Sequence, residues 1–325
     1  MVNYFVSDGG NALSRLENFK PLCWVDMISP TDGEVESVSR ATGVPEDMIN
    51  AALDEEERAR TEFDEGCSLF VVDCPIIEER DSGDTYSTLP LAIIYNKTCI
   101  ITVCLKGNPV LKDFITGRVK VACNKPVHFT LNFMMGNAKR FLYCLKQIDR
   151  KSQRVQAELA KTLKNQDILQ LLELENSLVY FSTSLNSNSK VHEKLAKVEA
   201  VATSEEYQDL YDDMAIESGQ AVEMCKIYKD TLSVSMDAYG SVISNNANDT
   251  MKKLTIITIL LAIPTMIAGF WGMNMPVPFQ GMDGLVWFWL VVGATLVLTA
   301  VAGVFMVRSN ILNRKPRRRN KRNRK

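Results

Sequence analysis

The stretch "LTIITILLAIPTMIAGFWGMN", residues 254–274, carries no charged side chain and ends in a Gly-Met-Asn triplet. Its first 18 residues, 254–271, would form a helix about 27 Å long, enough to cross a bilayer. A second uncharged run, 285–307, has 23 residues and would be about 35 Å long as a helix. A buried core helix could explain one such run, but two adjacent runs predict a two-helix transmembrane hairpin.

The charges beside these runs give the hairpin an orientation. The chain has 37 basic and 39 acidic residues, yet residues 308–325 contain ten Lys and Arg and no acid. Lys252 and Lys253 precede the first run, and Asp283 is the single charge between the runs. Because basic flanks stay in the cytoplasm, both termini are predicted to be cytoplasmic, in a cell membrane (inner or plasma membrane). The basic tail is expected to bind anionic lipid headgroups rather than nucleic acid.

The first 125 residues predict a small α/β domain. Short β-rich runs such as "SLFVVDCPII" and "CIITVCL" alternate with polar, helical stretches. Thr31 and Glu34 fit a capping box at a helix start. The acidic run 54–57 could bind a cation, although a solvated helix start is the simpler interpretation.

The composition of this part argues against several functions. It contains no GxGxxG, Walker A or nucleophile-elbow motif, so an enzyme or an organic cofactor is not expected. Over the whole chain, the eight cysteines form no CxxC pair and only two histidines are present, which favours reduced cytosolic core thiols over a structural zinc site.

From about residue 130 the chain is predicted to be helical, because no proline occurs between Pro126 and Pro264. Helices are expected near 131–165, 167–200 and 204–271, with the Ser- and Asn-rich segment 183–190 as the weakest part. The third helix would be about 100 Å long and needs neighbours along its side, in a bundle or a self-associated stalk.

These features divide the chain into seven parts. They are a cytoplasmic α/β domain (1–125), a cytoplasmic helical hairpin (126–203), a stalk helix (204–253), a pore-lining first span (254–272), an outer loop (273–284), a second span (285–307) and a basic cytoplasmic tail (308–325).

A stripe of residues runs along the first span at heptad spacing. Its members are small, hydroxylated or amide-bearing apart from one methionine: Asn248, Met251, Thr255, Thr258, Ala262, Thr265, Gly269 and Gly272. Small residues at this spacing allow close helix packing. Alternatively, the stripe lines a narrow water-filled path.

Continued toward the N-terminus, the same stripe contains four acids: Asp237, Asp230, Glu223 and Asp213. Carboxylates disfavour a seam that packs inward. They would suit rings around a shared axis filled by water or cations, or a solvated outer face. Since two spans cannot enclose a pore, a conduit would need several copies of the chain.

The segment "NDTMKKLTIITILLAIPTMIAGFWGMN" resembles the CorA-type divalent-cation channels, as does "CWVDMISPTDGEVESVSRATGVPEDMINAALDEEERAR" near the N-terminus. The resemblance covers essentially the whole chain. It implies a homopentameric funnel that passes Mg²⁺, often also Co²⁺ or Ni²⁺, and no organic cofactor.

Residue roles also follow from the resemblance. Gly272, Met273 and Asn274 would form the outer selectivity filter. The stripe from Asn248 to Gly269 would line the pore, with Met251 and Leu254 as a hydrophobic constriction. Acids of the stalk would bind regulatory Mg²⁺ or form acidic rings; the candidates are Asp213, Glu223, Asp230 and Asp237.

The sequence departs from the family pattern at two places. Trp271 stands where a tyrosine is usual, and the loop "MPVPFQGMDG" lacks the glutamate often found after the triplet. The predicted function is membrane-potential-driven Mg²⁺ uptake that intracellular Mg²⁺ shuts off. The alternatives are a Zn²⁺ or other transition-metal transporter of the same superfamily, and a membrane-anchored coiled-coil scaffold.

Overall fold

The computed structural model describes residues 1–7, 13–64, 66–78, 84–162, 164–273 and 284–308. These residues divide into two compact units, which meet in sequence between Met236 and Asp237. The first unit is a three-layer α/β domain followed by long helices, and the second contains two apolar helices. The predicted α/β domain, long helix and pair of C-terminal apolar helices are confirmed.

The elements follow one another along the chain in this order: β1 (Val2–Ser7), β2 (Leu13–Leu16), β3 (Cys23–Ile28), α1 (Asp32–Thr42), α2 (Glu46–Asn50), β4 (Arg60–Asp64), β5 (Cys67–Glu78), β6 (Thr85–Tyr95), β7 (Cys99–Cys104), α3 (Pro109–Ile115), α4 (Pro126–Thr162), α5 (Asn165–Leu195), α6 (Glu199–Thr203), α7 (Glu205–Trp271) and α8 (Gly284–Arg308).

The seven strands form one sheet in the order β2-β1-β3-β7-β6-β5-β4. All neighbouring strands are antiparallel except β3 and β7, which pair in parallel from Cys23 opposite Cys99 to Ile28 opposite Cys104. Every residue of β7 is buried, as expected for a central strand covered on both faces.

Two apolar cores cover the two faces of the sheet. On one face, Val35 and Val38 of α1 and Ile49 of α2 pack with apolar strand residues. On the other, Phe114 of α3 and Phe129 of α4 pack around Trp24, with ring centroids 6.4 and 5.2 Å from the indole. Large aromatic rings dominate this second core, on which the long helices rest.

Local sequence signals explain the ends of α1. The Thr31 backbone N–H donates to Glu34 Oε2 at 2.9 Å, and the Glu34 N–H donates to Thr31 Oγ1 at 3.4 Å. The capping box is therefore confirmed. Gly43 ends the helix with a φ of 75°, a left-handed conformation that suits glycine.

The acidic run 54–57 lies in turns after α2, so the predicted helix start there is wrong.

The Ser- and Asn-rich segment 183–190 is helical throughout, inside α5. Ser184 and Asn188 are buried because they face the sheet. The Asn188 side chain accepts from the Asp73 backbone N–H at 2.9 Å and donates to the Asp73 carbonyl at 2.8 Å. Strand β4 pairs with β5 only as far as Val71, so this amide supplies the hydrogen bonds that a neighbouring strand would give.

Helix α7 contains 67 residues, and its portion within the first unit buries one face. Met214, Ala221, Cys225 and Leu232 lie on that face, and Cys225 Sγ lies 3.4 Å from the carbonyl oxygen of Leu178 on α5. In the second unit, residues 241–250 of α7 are all exposed.

Two helices among the described residues are long and apolar enough to cross a membrane, namely α7 and residues Leu285–Met306 of α8. They run antiparallel in the second unit. Ile267 and Trp271 of α7 line a groove with Phe288 of α8, whereas Ile256 and Ile259 line another with Met306.

Candidate cation pathway

The structure places the whole stripe from Asn248 to Gly269 on one helix, α7. The helix ends at Trp271, and the Gly272 N–H still donates to the Ala268 carbonyl at 2.9 Å. Met273 follows, whereas Asn274 and Asp283 lie outside the described residues, as does the tail after Arg308. The filter assignment of the Gly-Met-Asn triplet therefore stays a prediction.

Helix α8 leaves the stripe exposed, although Asn248, Met251 and Thr255 at its N-terminal end line a groove with Met306 of α8. The α7 residues that are buried or half-buried in the span lie on the other face: Ile256, Leu260, Ile263, Pro264 and Ile267. The stripe residues of the span, Thr255, Thr258, Ala262, Thr265 and Gly269, are all exposed. Met251 and Leu254, at the N-terminal start of the span, are 59% and 64% exposed. The hairpin therefore presents a free, weakly polar face beside its packed one.

Each of the three threonine hydroxyls of this face donates its proton to a backbone carbonyl of α7. Thr255 donates to the Met251 carbonyl at 2.8 Å, Thr258 to Leu254 at 2.9 Å and Thr265 to Leu261 at 2.8 Å. Because a hydroxyl has one proton and two acceptor positions, each oxygen keeps lone pairs for a water or a cation. The face is therefore a row of oxygen acceptors without formal charge.

The stalk portion of the stripe is also exposed and is not covered by other parts of the chain. Asp213, Glu223, Asp230 and Asp237 are exposed, and none forms an ion pair with another described residue. Exposed apolar residues alternate with them: Ile216, Ile227 and Val234 are 69%, 52% and 68% exposed. The face that packs inside the chain is the opposite one, so the stripe is not an intramolecular seam.

Within the part of the chain that the structure describes, no three His, Cys, Asp or Glu side chains come together as a possible metal site. The stalk carboxylates therefore stand apart from one another along one helix. Only additional copies of the chain could bring equivalent carboxylates close together.

The cysteines lie away from the stripe. All eight are free and buried, which confirms the prediction that they are core residues. Burial raises the pKa of Cys104 to about 12 and that of Cys144 to about 11, so these thiols are protonated at neutral pH.

A buried series of side-chain hydrogen bonds joins β3 and β7, and the sequence analysis did not predict it. Trp24 Nε1 donates to Thr102 Oγ1 at 2.9 Å, and Thr102 Oγ1 donates to Asp26 Oδ1 at 2.9 Å. Burial raises the pKa of Asp26 to about 6, and the Thr102 bond offsets part of that rise. The Trp-x-Asp spacing places both side chains on one face of β3, but the partner, Thr102, lies 76 residues from Asp26.

Comparison with known sequences decides the family. The sequence model described as "CorA-like Mg2+ transporter protein" matches residues 19–309. The chain belongs to this family. It is therefore a CorA-family membrane transporter of divalent cations, and its α7 and α8 provide the two candidate spans.

Individual relatives agree with this assignment. The cobalt/magnesium transport protein CorA of Methanocaldococcus jannaschii is 26% identical over 288 residues, which cover 86% of this chain and 88% of the relative. The cobalt/magnesium transport protein CorA of Thermotoga maritima is 23% identical over 290 residues, covering 87% and 80%. The complete structure of the M. jannaschii CorA magnesium transporter superposes with a TM-score of 0.79 at 22% identity, covering 95% of this chain and 98% of that one.

Proposed function

We propose that this CorA-family transporter conducts Mg²⁺ through a homo-oligomeric pore, a pentamer by family resemblance, in which the α7 stripe of each copy faces the axis. The observation that carries the proposal is the uncovered face of hydroxyl oxygens on α7, opposite the face that packs on α8. Exposed Ile216, Ile227 and Val234 support association, because apolar side chains gain free energy when copies cover them.

The chemistry of the stripe suits a hydrated dication. Mg²⁺ loses its water shell reluctantly and requires octahedral geometry, so neutral oxygens that bond the shell bind it weakly enough to release it. Gly272, Met273 and Asn274 would form the entrance filter by family resemblance. Met251 and Leu254 would constrict the cytoplasmic end of the pore.

The driving force needs no nucleotide. A dication that moves inward gains about 4.6 kcal/mol per 100 mV of membrane potential, which favours accumulation roughly 10³-fold. We further propose that intracellular Mg²⁺ holds neighbouring stalks together through Asp213, Glu223, Asp230 and Asp237. Loss of the ion would let the carboxylates repel one another and loosen the closed state.

The membrane placement completes the proposal. Both termini are cytoplasmic in a cell membrane, and the basic tail 308–325 contacts anionic lipid headgroups. The distribution of Lys and Arg around the two spans supports this orientation.

Uptake of Mg²⁺, Co²⁺ and Zn²⁺ into proteoliposomes tests the proposal. Asn274→Ala is expected to abolish selective Mg²⁺ uptake, and Asp237→Ala to weaken its inhibition by internal Mg²⁺. Thr258→Val, which removes a stripe hydroxyl, is expected to slow uptake up to about tenfold, because one hydrogen bond contributes roughly 1 kcal/mol. The matched control is Thr295→Val on α8, whose hydroxyl donates to the Val291 carbonyl at 2.7 Å.

The outcomes separate the alternatives. Zinc flux without magnesium flux would replace the Mg²⁺ assignment by a transition-metal transporter. Normal uptake by Asn274→Ala would remove the filter assignment. Equal effects of Thr258→Val and Thr295→Val would show that the stripe does not face the ion. Absence of any flux would favour the scaffold.

A further inference from the structure

An apolar groove separates α7 from α8 in the half of the hairpin next to the connection between the two helices. Ile267, Ala268 and Trp271 of α7 form one wall, and Phe288 and Val292 of α8 form the other. The groove has a volume of about 470 Å³, and no charged side chain lines it. An empty space of this size would deprive its walls of dispersion contacts, so the groove gains free energy from an apolar occupant.

The groove is nearly as long as one leaflet of a bilayer is thick. On α7 it extends from Pro264 to Gly272, which is about 12 Å of helix. Half of the hydrocarbon core of a bilayer measures about 15 Å. Pro264 lies near the middle of the uncharged run 254–271, and Leu296, which also lines the groove, lies at the middle of the run 285–307. The groove therefore extends from the loop end of the hairpin to the bilayer midplane and stops there.

Beyond the midplane end of the groove, the two helices come into contact. Leu260 Cδ2 lies 3.6 Å from the position that a β-carbon on Gly303 would take, which is an ordinary van der Waals distance. Because Gly303 has no side chain, α8 can approach α7 closely at this level. Leu260 precedes Pro264 by one helical turn, so this contact closes the groove at the midplane. An occupant therefore enters from one leaflet only.

The open end of the groove differs chemically from its interior. Trp271 is the last residue of α7 and is 42% exposed. Indole rings concentrate at membrane interfaces, where the N–H can donate to an ester carbonyl of a lipid. In the interior, the hydroxyl of Thr295 already donates to the Val291 carbonyl at 2.7 Å, and the other lining side chains are apolar. The groove therefore suits a ligand with a hydrocarbon body and a polar group at one end.

We propose that this groove binds one acyl chain of a phospholipid from the leaflet at the loop end of the hairpin, with the ester group of the lipid beside Trp271. The proposal rests on the membrane placement of the family and not on the identity of the transported ion. Among the lining residues only Gly272 belongs to the stripe, so the acyl chain lies on a side of α7 away from the proposed ion path. Since lipid surrounds both spans, the ligand is always present at high concentration.

A helix from a second copy of the chain fits this groove less well. An α-helix with its side chains is about 10 Å wide, and a straight helix beside α7 would follow it along the whole span. The groove is only about 12 Å long and is closed at the midplane by the contact between Leu260 and Gly303. A single acyl chain is narrower and flexible, and it needs to fill one leaflet only.

The test uses the full chain in phosphatidylcholine nanodiscs, in which a small fraction of the lipid carries a photoactivatable diazirine on one acyl chain. After illumination, mass spectrometry of peptides identifies the residues that the acyl chain has labelled. Labelling of the groove walls is expected to exceed, several-fold, that of Ala294 and Val297, which are exposed on α8 at a similar depth. A bound chain stays beside the walls, whereas chains at the exposed face exchange with bulk lipid.

The position of the diazirine along the acyl chain tests the orientation of the lipid. A diazirine near the ester is expected to label Trp271 and Phe288, at the open end of the groove. A diazirine near the terminal methyl group is expected to label Pro264 and Leu296, at the midplane end. This pattern is measured in the unaltered chain, so it does not depend on whether a variant assembles.

Two matched variants isolate the groove. Ala268→Phe places an aromatic ring inside it and is expected to lower labelling of the walls several-fold, because the ring takes the space of the acyl chain. The control is Ala294→Phe, which adds the same ring at a similar depth on the exposed face of α8. This control is expected to leave labelling of the walls unchanged.

Four results would overturn the proposal. The first is equal labelling of the groove walls and of the exposed face of α8. The second is wall labelling that does not depend on where the diazirine lies along the acyl chain, and the third is an equal loss in the two phenylalanine variants. The fourth is protection of the walls from the lipid together with cross-links between chains at the groove, which would identify a second copy as the occupant.

Discussion

Replacement of Asn188 by alanine should loosen the middle of β5 without disturbing the helix that carries it. Asn188 is 2% exposed, and its amide makes two hydrogen bonds to the Asp73 backbone, at 2.9 and 2.8 Å. The Asp73 carbonyl keeps a second donor in Asn137 Nδ2 at 2.9 Å. The Asp73 N–H has no such second partner among these contacts. The substitution therefore leaves this buried donor without an acceptor.

The size of the effect follows from that loss. A buried donor without an acceptor costs about 1–3 kcal/mol, whereas the carbonyl, still bonded to Asn137, adds little. The free energy that opens this part of the strand should therefore fall by about 1–3 kcal/mol. Exchange of the Asp73 amide hydrogen should accelerate roughly 5- to 150-fold, since 1.4 kcal/mol corresponds to a factor of ten.

Hydrogen–deuterium exchange of peptides spanning β5 measures this in the full chain. The matched control is Asn186→Ala, on the exposed side of α5, where the side chain donates only to the Ser182 carbonyl of its own helix at 2.7 Å. The control should leave β5 exchange unchanged. Equal exchange in the two variants would refute the view that the amide takes the place of a neighbouring strand.

Two further substitutions test the core. Burial holds the pKa of Asp26 at about 6 against an ordinary 3.8, so the folded state loses stability as pH rises through that interval. Asp26→Asn should raise the free energy of unfolding by up to about 3 kcal/mol over wild type, as measured by thermal or urea unfolding. A difference between the two proteins that does not change with pH would contradict this. Gly136→Ala would place a methyl carbon 2.5 Å from Val110 Cγ1, costing about 1–3 kcal/mol. Val110→Ala should restore much of that loss, and no recovery would locate the strain elsewhere.

The long helices were predictable because their signals are local. The absence of proline after Pro126, the break at Ser204 and the uncharged runs suffice to place α4, α5, α7 and α8 to within a few residues. The capping box of α1 is equally local. In contrast, the strand order and the parallel pairing of β3 with β7 depend on contacts about 76 residues apart, which no single-sequence pattern specifies.

The candidate pathway was predictable only as a pattern. Heptad spacing identified the stripe on α7, but its exposure depends on which face α8 covers.

The helical stability of segment 183–190 was underestimated because its Ser and Asn residues are poor helix formers. Asn188 makes its hydrogen bonds there to a strand residue 115 positions away.

The exposed segment 241–250 of α7 has a consequence for sequence change in this transporter. No side chain there is buried, so single substitutions at positions other than Asn248, a member of the stripe, should cost little stability. Its length is a different matter, because each residue turns a helix by about 100°. One inserted residue would swing every later stripe position away from the line of the earlier ones, whereas seven would shift it by only about 20°. Across this segment, the number of residues is therefore more constrained than their identity.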